Sequence, residues 1–459
     1  MIIIKIFIIL YFFCFSSVKS DSGDLIQFDF QETLSISYIE SVLNILGIDI
    51  SNTMYSISVY DIKYESHRLD NTIDTLSGLV CIPQNQIEAF PILSYQHGTT
   101  SLDQDAPSIT GLTFANTEVL LIALVSSPSG FITIFPDYEG LGDPEKFHPY
   151  IIADSYTRAV VNMIRAVKSL SNIIQSDDEF QFNEQLFLLG YSEGGYATLA
   201  AQRGIELNFN DEIIITASLP MAGPYDLSGT MVDYFLSSPY YSSPYYVPYV
   251  LTSHLWNYQG IDVDFHEYFE TFWADTLPSL YDGTHSGAEI NAMMPDDVLE
   301  ILLDDVLEEF INNEEHFFRQ TLAQNTLLDW TPQTDTYLFH GLGDDIIPYE
   351  NSQIAYDIFQ ANGAPNVNID LLSSVFGGHS TVAFPCLLSG YEIILDYQKI
   401  SRKGDMNSDE IISLVDVALL SSSMMNQYEI NEYQWWAGDY DYDNTHNISD
   451  ILYIADMIE

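Results

Sequence analysis

Three residues in this sequence have the types and the order to do chemistry together. The stretch QLFLLGYSEGGYATLAA carries Ser192 between an apolar run and the pair Gly194 and Gly195. A serine hydroxyl is a weak nucleophile until an imidazole takes its proton and a carboxylate orients that imidazole. Gly190, Gly194 and Gly195 supply the small residues that a sharp strand-to-helix turn demands, with the serine in a strained backbone geometry. Downstream, YLFHGLGDDIIPYENS ends an apolar run and presents Asp344 and Asp345. Asp344 is the expected acid, because its spacing from His340 and Gly341 leaves Ile-Ile-Pro to lead into the next helix; Asp345 is the reserve. SVFGGHSTVAF then places His379 in a glycine-rich loop. The backbone N–H groups of Glu193 and of Thr99, in SYQHGTTS, are the expected donors to an oxyanion. On this reading Glu193 matters for its amide and not for its side chain. His97 is expected to shape its loop, and Asp137, Tyr138 and Glu139 of FPDYEGLGD take structural roles.

Such a set needs a scaffold that delivers loops from distant parts of the chain to one place. Residues 54–66 and 75–83 alternate in period two and read as an antiparallel pair. Residues 90–98, 131–138, 185–192, 213–223, 334–341 and 368–374 are short runs, apolar on both faces, that mostly end in Gly, Asp or His. Joined by helical stretches, they predict a mainly parallel sheet covered on both sides, with ligand chemistry at the carboxyl ends of the strands. Residues 228–329 break the rhythm. SSPYYSSPYYVPYV and the helical, acidic-apolar PDDVLEILLDDVLEEF predict a helical cap over those strand ends, the bland alternative being a surface bundle.

A chain of 459 residues, 47% hydrophobic, has room for a full core and a further module. Its 13 Lys and Arg face 66 Asp and Glu, a formal charge of -53 that argues against nucleic-acid partners and electrostatic membrane docking. Residues 1–20, MIIIKIFIILYFFCFSSVKS, read as a secretory signal peptide, so the mature protein is expected outside the cell. No later run is long enough to span a bilayer. Cys81 and Cys386 remain, and whether they pair is left open.

From Gly404 to Glu459 the chain carries a repeat. DMNSDEIISLVDVALL and DYDYDNTHNISDILYI put oxygen-bearing residues at loop positions one, three, five and twelve: Asp405, Asn407, Asp409 and Asp416, then Asp439, Asp441, Asp443 and Asp450. Ca²⁺ takes about 6–8 oxygens, and the backbone carbonyls of Ile411 and Thr445 at position seven complete each loop. Each loop is followed by an apolar helix, and none is expected before it. The turn glycine of position six is replaced by Glu410 and Asn444, which makes the first loop the weaker. No cofactor is expected for catalysis.

Two resemblances follow. VYDIKYES with TLSGLVCIP, YQHGTTS, PDYEGLGDPEKFHPYIIADSYTRAVVNMIRA, GYSEGG, HGLGDDIIPYENS and GGHST resemble the secretory-lipase-like α/β-hydrolases over most of residues 21–400. That implies a serine esterase or lipase with a helical cap, working through an acyl-enzyme, with Ser192, Asp344 and His379 at the triad positions. The tail over residues 404–459 resembles a type I dockerin, which implies a small all-α, calcium-dependent domain and a cohesin-type partner. The substrate class expected is a carboxylic ester, lipid or acylated polysaccharide. The alternatives are an acetyl or feruloyl carbohydrate esterase in polysaccharide catabolism, a serine peptidase on the same fold, and a non-catalytic adhesion or scaffold protein.

Overall fold

The computed structural model describes residues 22–143, 146–174, 180–237 and 241–458. The expected signal peptide, residues 1–20, lies outside the described residues.

The alternating and the continuous apolar runs join in one sheet of ten strands. They are β1 (Leu25–Leu34), β2 (Ile57–His67), β3 (Ile73–Pro83), β4 (Glu88–Gln96) and β5 (Ile132–Pro136), followed by β6 (Gln181–Tyr191), β7 (Ala217–Met221), β8 (Asp335–Gly341), β9 (Val367–Leu372) and β10 (Ser401–Arg402). The order across the sheet is β1-β2-β3-β5-β4-β6-β7-β8-β9, and β10 adds to the start of β4. The pairs β1–β2, β2–β3 and β3–β5 are antiparallel; from β5 through β4, β6, β7 and β8 to β9 every pair is parallel. Strands β5 and β7 are buried along their whole length, which their unbroken apolar sequence requires. One face packs the helices Ala153–Ser171 and Glu193–Asn208 through Val160, Met163 and Leu199. The other packs Thr117–Ser126 and His379–Tyr397 through Leu120, Val382 and Ile394.

Two strands were not foreseen. LIQFDFQETL alternates like a strand, but its Ile26, Phe28 and Phe30 are exposed on the sheet edge, so no buried face marks it. β10 has two residues, too few for any periodicity. β7 is also shorter than the expected 213–223; Ile213 and Ile215 are buried in the turn that leads into it.

Between β7 and β8 the described residues form helices and no strand, with only two isolated bridges, Leu102 to Thr284 and Phe269 to Leu302. The helix Tyr246–Gln259 is the centre of this insert. Its Tyr249 stacks on Tyr150 of the body (4.1 Å between ring centres) and on Tyr281 (4.7 Å), and Trp256 stacks on Phe147 (3.7 Å). The tyrosine-rich sequence thus becomes the stacked seam between insert and sheet.

At the opposite end of the sheet lies the acidic tail, with helices Leu414–Met424, Glu432–Gly438 and Ile448–Asp456. Ser401 and Arg402 pair with Ala89 and Glu88, and Asn431 donates to Glu184 Oε2 (2.8 Å). Ala89 of β4 is buried in one apolar cluster with Met406, Leu420, Tyr433 and Ile454 of the tail. The second acidic loop does have a helix before it, Glu432–Gly438, contrary to the sequence expectation. Asn431 and Gln434 close a capping box at its start, and Tyr433 and Ala437 bury its inner face. Cys81 and Cys386 are buried free thiols, and burial raises both: Cys81 above the range in which a thiolate forms, Cys386 to about 12.

Candidate active site

β6 ends in Tyr191, and Ser192 turns the chain at φ 63° and ψ -122° before the helix Glu193–Asn208 begins. Close approach dictates the flanking residues. A Cβ on Gly194 would stand 1.9 Å from the Gln96 carbonyl oxygen, one on Gly195 2.0 Å from that of Met221, and one on Gly190 2.3 Å from that of Gly194. Strand, turn and neighbouring strand ends leave no room for a side chain, so the strained serine is held from three sides.

His379 Nε2 lies 2.8 Å from Ser192 Oγ, and His379 Nδ1 lies 2.6 Å from Asp344 Oδ2. The Asp344 side chain is fully buried just past the end of β8, and its Oδ1 accepts the N–H groups of Ile346 (2.9 Å) and Ile347 (2.8 Å). Burial alone would raise its pKa, but hydrogen bonding and charge from His340 and His379 outweigh that and hold the carboxyl well below the usual carboxylate range. Asp345, the reserve, turns away. Its Oδ1 accepts the His379 N–H (3.0 Å) and so caps the helix His379–Tyr397. Tyr191 donates to the His379 carbonyl (2.6 Å) and fixes the same loop.

Glu193 opens its helix, so its N–H has no carbonyl within the helix to reach. The loop Gln96–Thr99 lies against the turn: a Cβ on Gly98 would stand 3.8 Å from the Tyr191 carbonyl oxygen. That loop is braced by Glu118, which accepts the Gly98 N–H (2.9 Å) and the Tyr95 hydroxyl (2.7 Å), and by Tyr138, which donates to the His97 carbonyl (3.1 Å). His97 stacks on Tyr138 (4.2 Å), and the Thr99 hydroxyl meets that of Tyr150 (3.0 Å). Asp137 is buried beneath, accepting from Ser77 and Ser108. Sequence reasoning missed Glu118 and the side chain of Glu193. Glu193 is buried, with Oε1 bonded to His148 Nε2 (2.9 Å) and to the Tyr156 hydroxyl (2.8 Å). The excess of carboxylates in the sequence hid both.

Two cavities meet at Ser192. One, about 890 Å³ and open to solvent, runs beneath the insert past Ser192 and Glu193 and is lined by Met231, Phe235, Val250, Leu251 and Leu302. The other, about 1370 Å³ with its open mouth, lies on the His379 side between Glu118, Ser380, Phe384 and Tyr391.

The fold agrees with solved structures. The chain superimposes on the rice cell wall degrading esterase LipA from Xanthomonas oryzae with a TM-score of 0.72, at 24% identity, over 82% of this chain and 99% of that one. A protein of Legionella pneumophila gives a TM-score of 0.72 at 25% identity, over 81% and 98%. Candida antarctica lipase A gives 0.57 at 19%, over 78% and 77%. The fold is that of the α/β-hydrolases. A family model described as secretory lipase matches residues 105–209, which include Ser192. Comparison with curated proteins gives no match. Together these likenesses support a lipase- or esterase-like hydrolase.

In the tail, Asp439, Asp441 and Asp443 bring carboxylate oxygens within 4.8 Å of one another. Asp450 Oδ1 accepts the Tyr440 N–H (2.9 Å), and Asp416 Oδ1 accepts that of Met406 (2.8 Å), so the two position-twelve residues tie each loop to its following helix. In the first loop, Asp405 accepts from Asp409 and Glu410, and Asn407 donates to Asp409 (2.8 Å). Glu410 and Asn444 both take left-handed backbone (φ 68° and 59°), the conformation a glycine would favour at position six. The N–H groups of Ile411 and Thr445 bond Asp409 (2.9 Å) and Asp443 (2.8 Å), and the Thr445 hydroxyl also donates to Asp443 Oδ1 (2.6 Å). Among the described residues no helix is long and apolar enough to cross a membrane.

Proposed function

We propose that this protein is a secreted serine hydrolase of carboxylic esters. The observation that carries the reading is the unbroken relay from Asp344 through His379 to Ser192, at 2.6 and 2.8 Å, on a strained elbow. Asp344 keeps the Nδ1 proton of His379 in place, so Nε2 is free to take the Ser192 proton as Oγ attacks the ester carbonyl. The oxyanion then faces the Glu193 and Thr99 amides. His379 returns its proton to the leaving alcohol, and water, activated by the same imidazole, releases the acid.

The apolar cavity beneath the insert suits the acyl chain, and the cavity beside His379, with Glu118 and Ser380 on its wall, suits the alcohol. The polar groups of that second cavity favour a hydroxyl-bearing alcohol such as glycerol or a sugar, so an acylated-carbohydrate esterase is the second reading. A solved neighbour is described as a rice cell wall degrading esterase, which bears on that protein and lends the reading support. The test is a panel of p-nitrophenyl esters of rising chain length, triglycerides, acetylated and feruloylated polysaccharide, and aminoacyl anilides, with Ser192→Ala as the blank. Hydrolysis of anilides in preference to every ester would overturn the ester reading.

We also infer that the tail binds Ca²⁺. Asp439, Asp441, Asp443 and Asp450 with the Thr445 carbonyl form the stronger site, and Asp405, Asn407, Asp409 and Asp416 with the Ile411 carbonyl the weaker. The convergence of three carboxylates in the second loop supports this order. The dockerin-like repeat then serves as a docking module for a cohesin-type partner, through exposed Leu414, Val415, Ile448 and Leu452.

A further inference from the structure

Glu193 places a buried carboxyl group one residue from the nucleophile, on the residue whose amide faces the oxyanion. A bare anion there would oppose the charge that develops in the transition state. The surrounding hydrogen bonds resolve this conflict. His148 Nδ1 lies 2.8 Å from the Glu139 carbonyl oxygen, which can only accept, so Nδ1 carries a proton. His148 Nε2 lies 2.9 Å from Glu193 Oε1. The Tyr156 hydroxyl accepts the Ile151 N–H (3.0 Å) and has one proton to give. It stands 2.8 Å from Glu193 Oε1 and 3.3 Å from His148 Nε2, so the carboxyl oxygen is its nearer acceptor. Without a further proton, lone pairs of Oε1 and Nε2 would face each other at 2.9 Å inside a buried site.

We propose that Glu193 and His148 hold one proton between them and form an uncharged pair that keeps negative charge away from the oxyanion. The proton sits either on Oε1, donating to a neutral imidazole, or on Nε2, donating to the carboxylate, and in both forms the pair carries no net charge. Glu193 Oε2 has no hydrogen-bond partner among the described residues, which favours the form with a neutral carboxyl. The ionisable groups facing the pair from the body are Glu139, Asp103, Tyr138, Tyr150 and Tyr156. From the insert come Tyr245, Tyr246 and Tyr249. Burial raises every one of them, so the tyrosines stay protonated and the two carboxyls titrate above the usual carboxylate range. None supplies a cation to offset a Glu193 anion. Among the described residues His148 is the group bonded to Glu193 that can do so, which makes it a positioning residue for the charge of the site.

This inference rests on the serine-hydrolase reading, and its test separates the two. The rate of Ser192 labelling by a fluorophosphonate builds the same oxyanion without assuming an ester substrate, and is measured between about pH 6 and pH 9. In His148→Phe the Glu193 carboxyl loses its proton partner, so labelling falls increasingly as pH rises, by about tenfold or more against wild type. The double variant His148→Phe with Glu193→Gln loses that extra slope. Glu193→Gln alone keeps the pH dependence of wild type, whatever its absolute rate, because the pair it replaces is already uncharged. Three results would each overturn the proposal: a His148→Phe profile parallel to wild type, a slope that persists in the double variant, or a Glu193→Gln rate that climbs over wild type as pH rises. The last needs no folded His148→Phe protein. Wild type that labels but cleaves no ester refutes the ester reading and leaves this one standing; wild type that never labels refutes both.

Discussion

Asp344→Asn tests how the relay works, because the structure dictates which way the new amide must point. Asp344 Oδ1 accepts two backbone N–H groups, from Ile346 and Ile347 at 2.9 and 2.8 Å. In asparagine only the carbonyl oxygen can keep both bonds, so the NH₂ takes the place of Oδ2 and faces His379 Nδ1. His379 must then present a lone pair at Nδ1 and carry its proton on Nε2, where it can no longer accept the proton of Ser192. The expected loss in kcat is about 10⁴-fold, or about 5 kcal/mol of transition-state stabilisation. KM should change little, since no substrate contact is touched. Asp345→Asn removes a carboxyl that accepts the His379 N–H and lies off the relay, and should cost less than about tenfold. Steady-state kinetics on one activated ester reads both. Asp344→Asn retaining a tenth of wild-type activity, or Asp345→Asn costing more than Asp344→Asn, would rule out Asp344 as the residue that sets the His379 tautomer. The same carboxyl sets an acid dependence of stability. Its folded pKa lies below the unfolded value of about 3.9, so its contribution is complete above that pH and lost as pH falls towards the folded value. Denaturant melts of wild type and Asp344→Asn should therefore converge on acidification.

Two further outcomes follow from the cavities and the tail. Val250→Trp fills the cavity beneath the insert, and should lower kcat/KM for long acyl chains by about 10–100-fold relative to acetate esters; an unchanged chain-length profile would place the acyl group elsewhere. Titrating Ca²⁺ into the full-length chain by calorimetry should show binding that Asp441→Ala weakens more than Asn407→Ala, and chelation should remove a low-temperature unfolding step while ester hydrolysis persists.

What the sequence made legible was whatever repeats or punctuates. Continuous apolar runs located the inner strands, glycines located the elbow, and the paired acidic loops located the tail. Ser192, Asp344 and His379 stand out by type and order, and the structure brings their side chains within hydrogen-bond reach. β1 escaped because its apolar residues face solvent, and the helix Glu432–Gly438 because Trp435, Trp436 and a capping box carry no strong helical period. Glu193 escaped for a different reason. Nothing local distinguishes it from 65 other carboxylates, and its partners, His148 and Tyr156, stand 45 and 37 residues away. Which carboxyl groups are buried beside the oxyanion depends on how the helix Ala153–Ser171 packs across the sheet, and that is a property of the folded chain.

If Ser192 is the nucleophile, it forms a covalent intermediate. Incubation with a fluorophosphonate followed by peptide mass spectrometry tests it most directly. A single adduct on Ser192 is expected, with ester hydrolysis lost in proportion to labelling. Hydrolysis that persists at full labelling, or an adduct on any other residue, would contradict it.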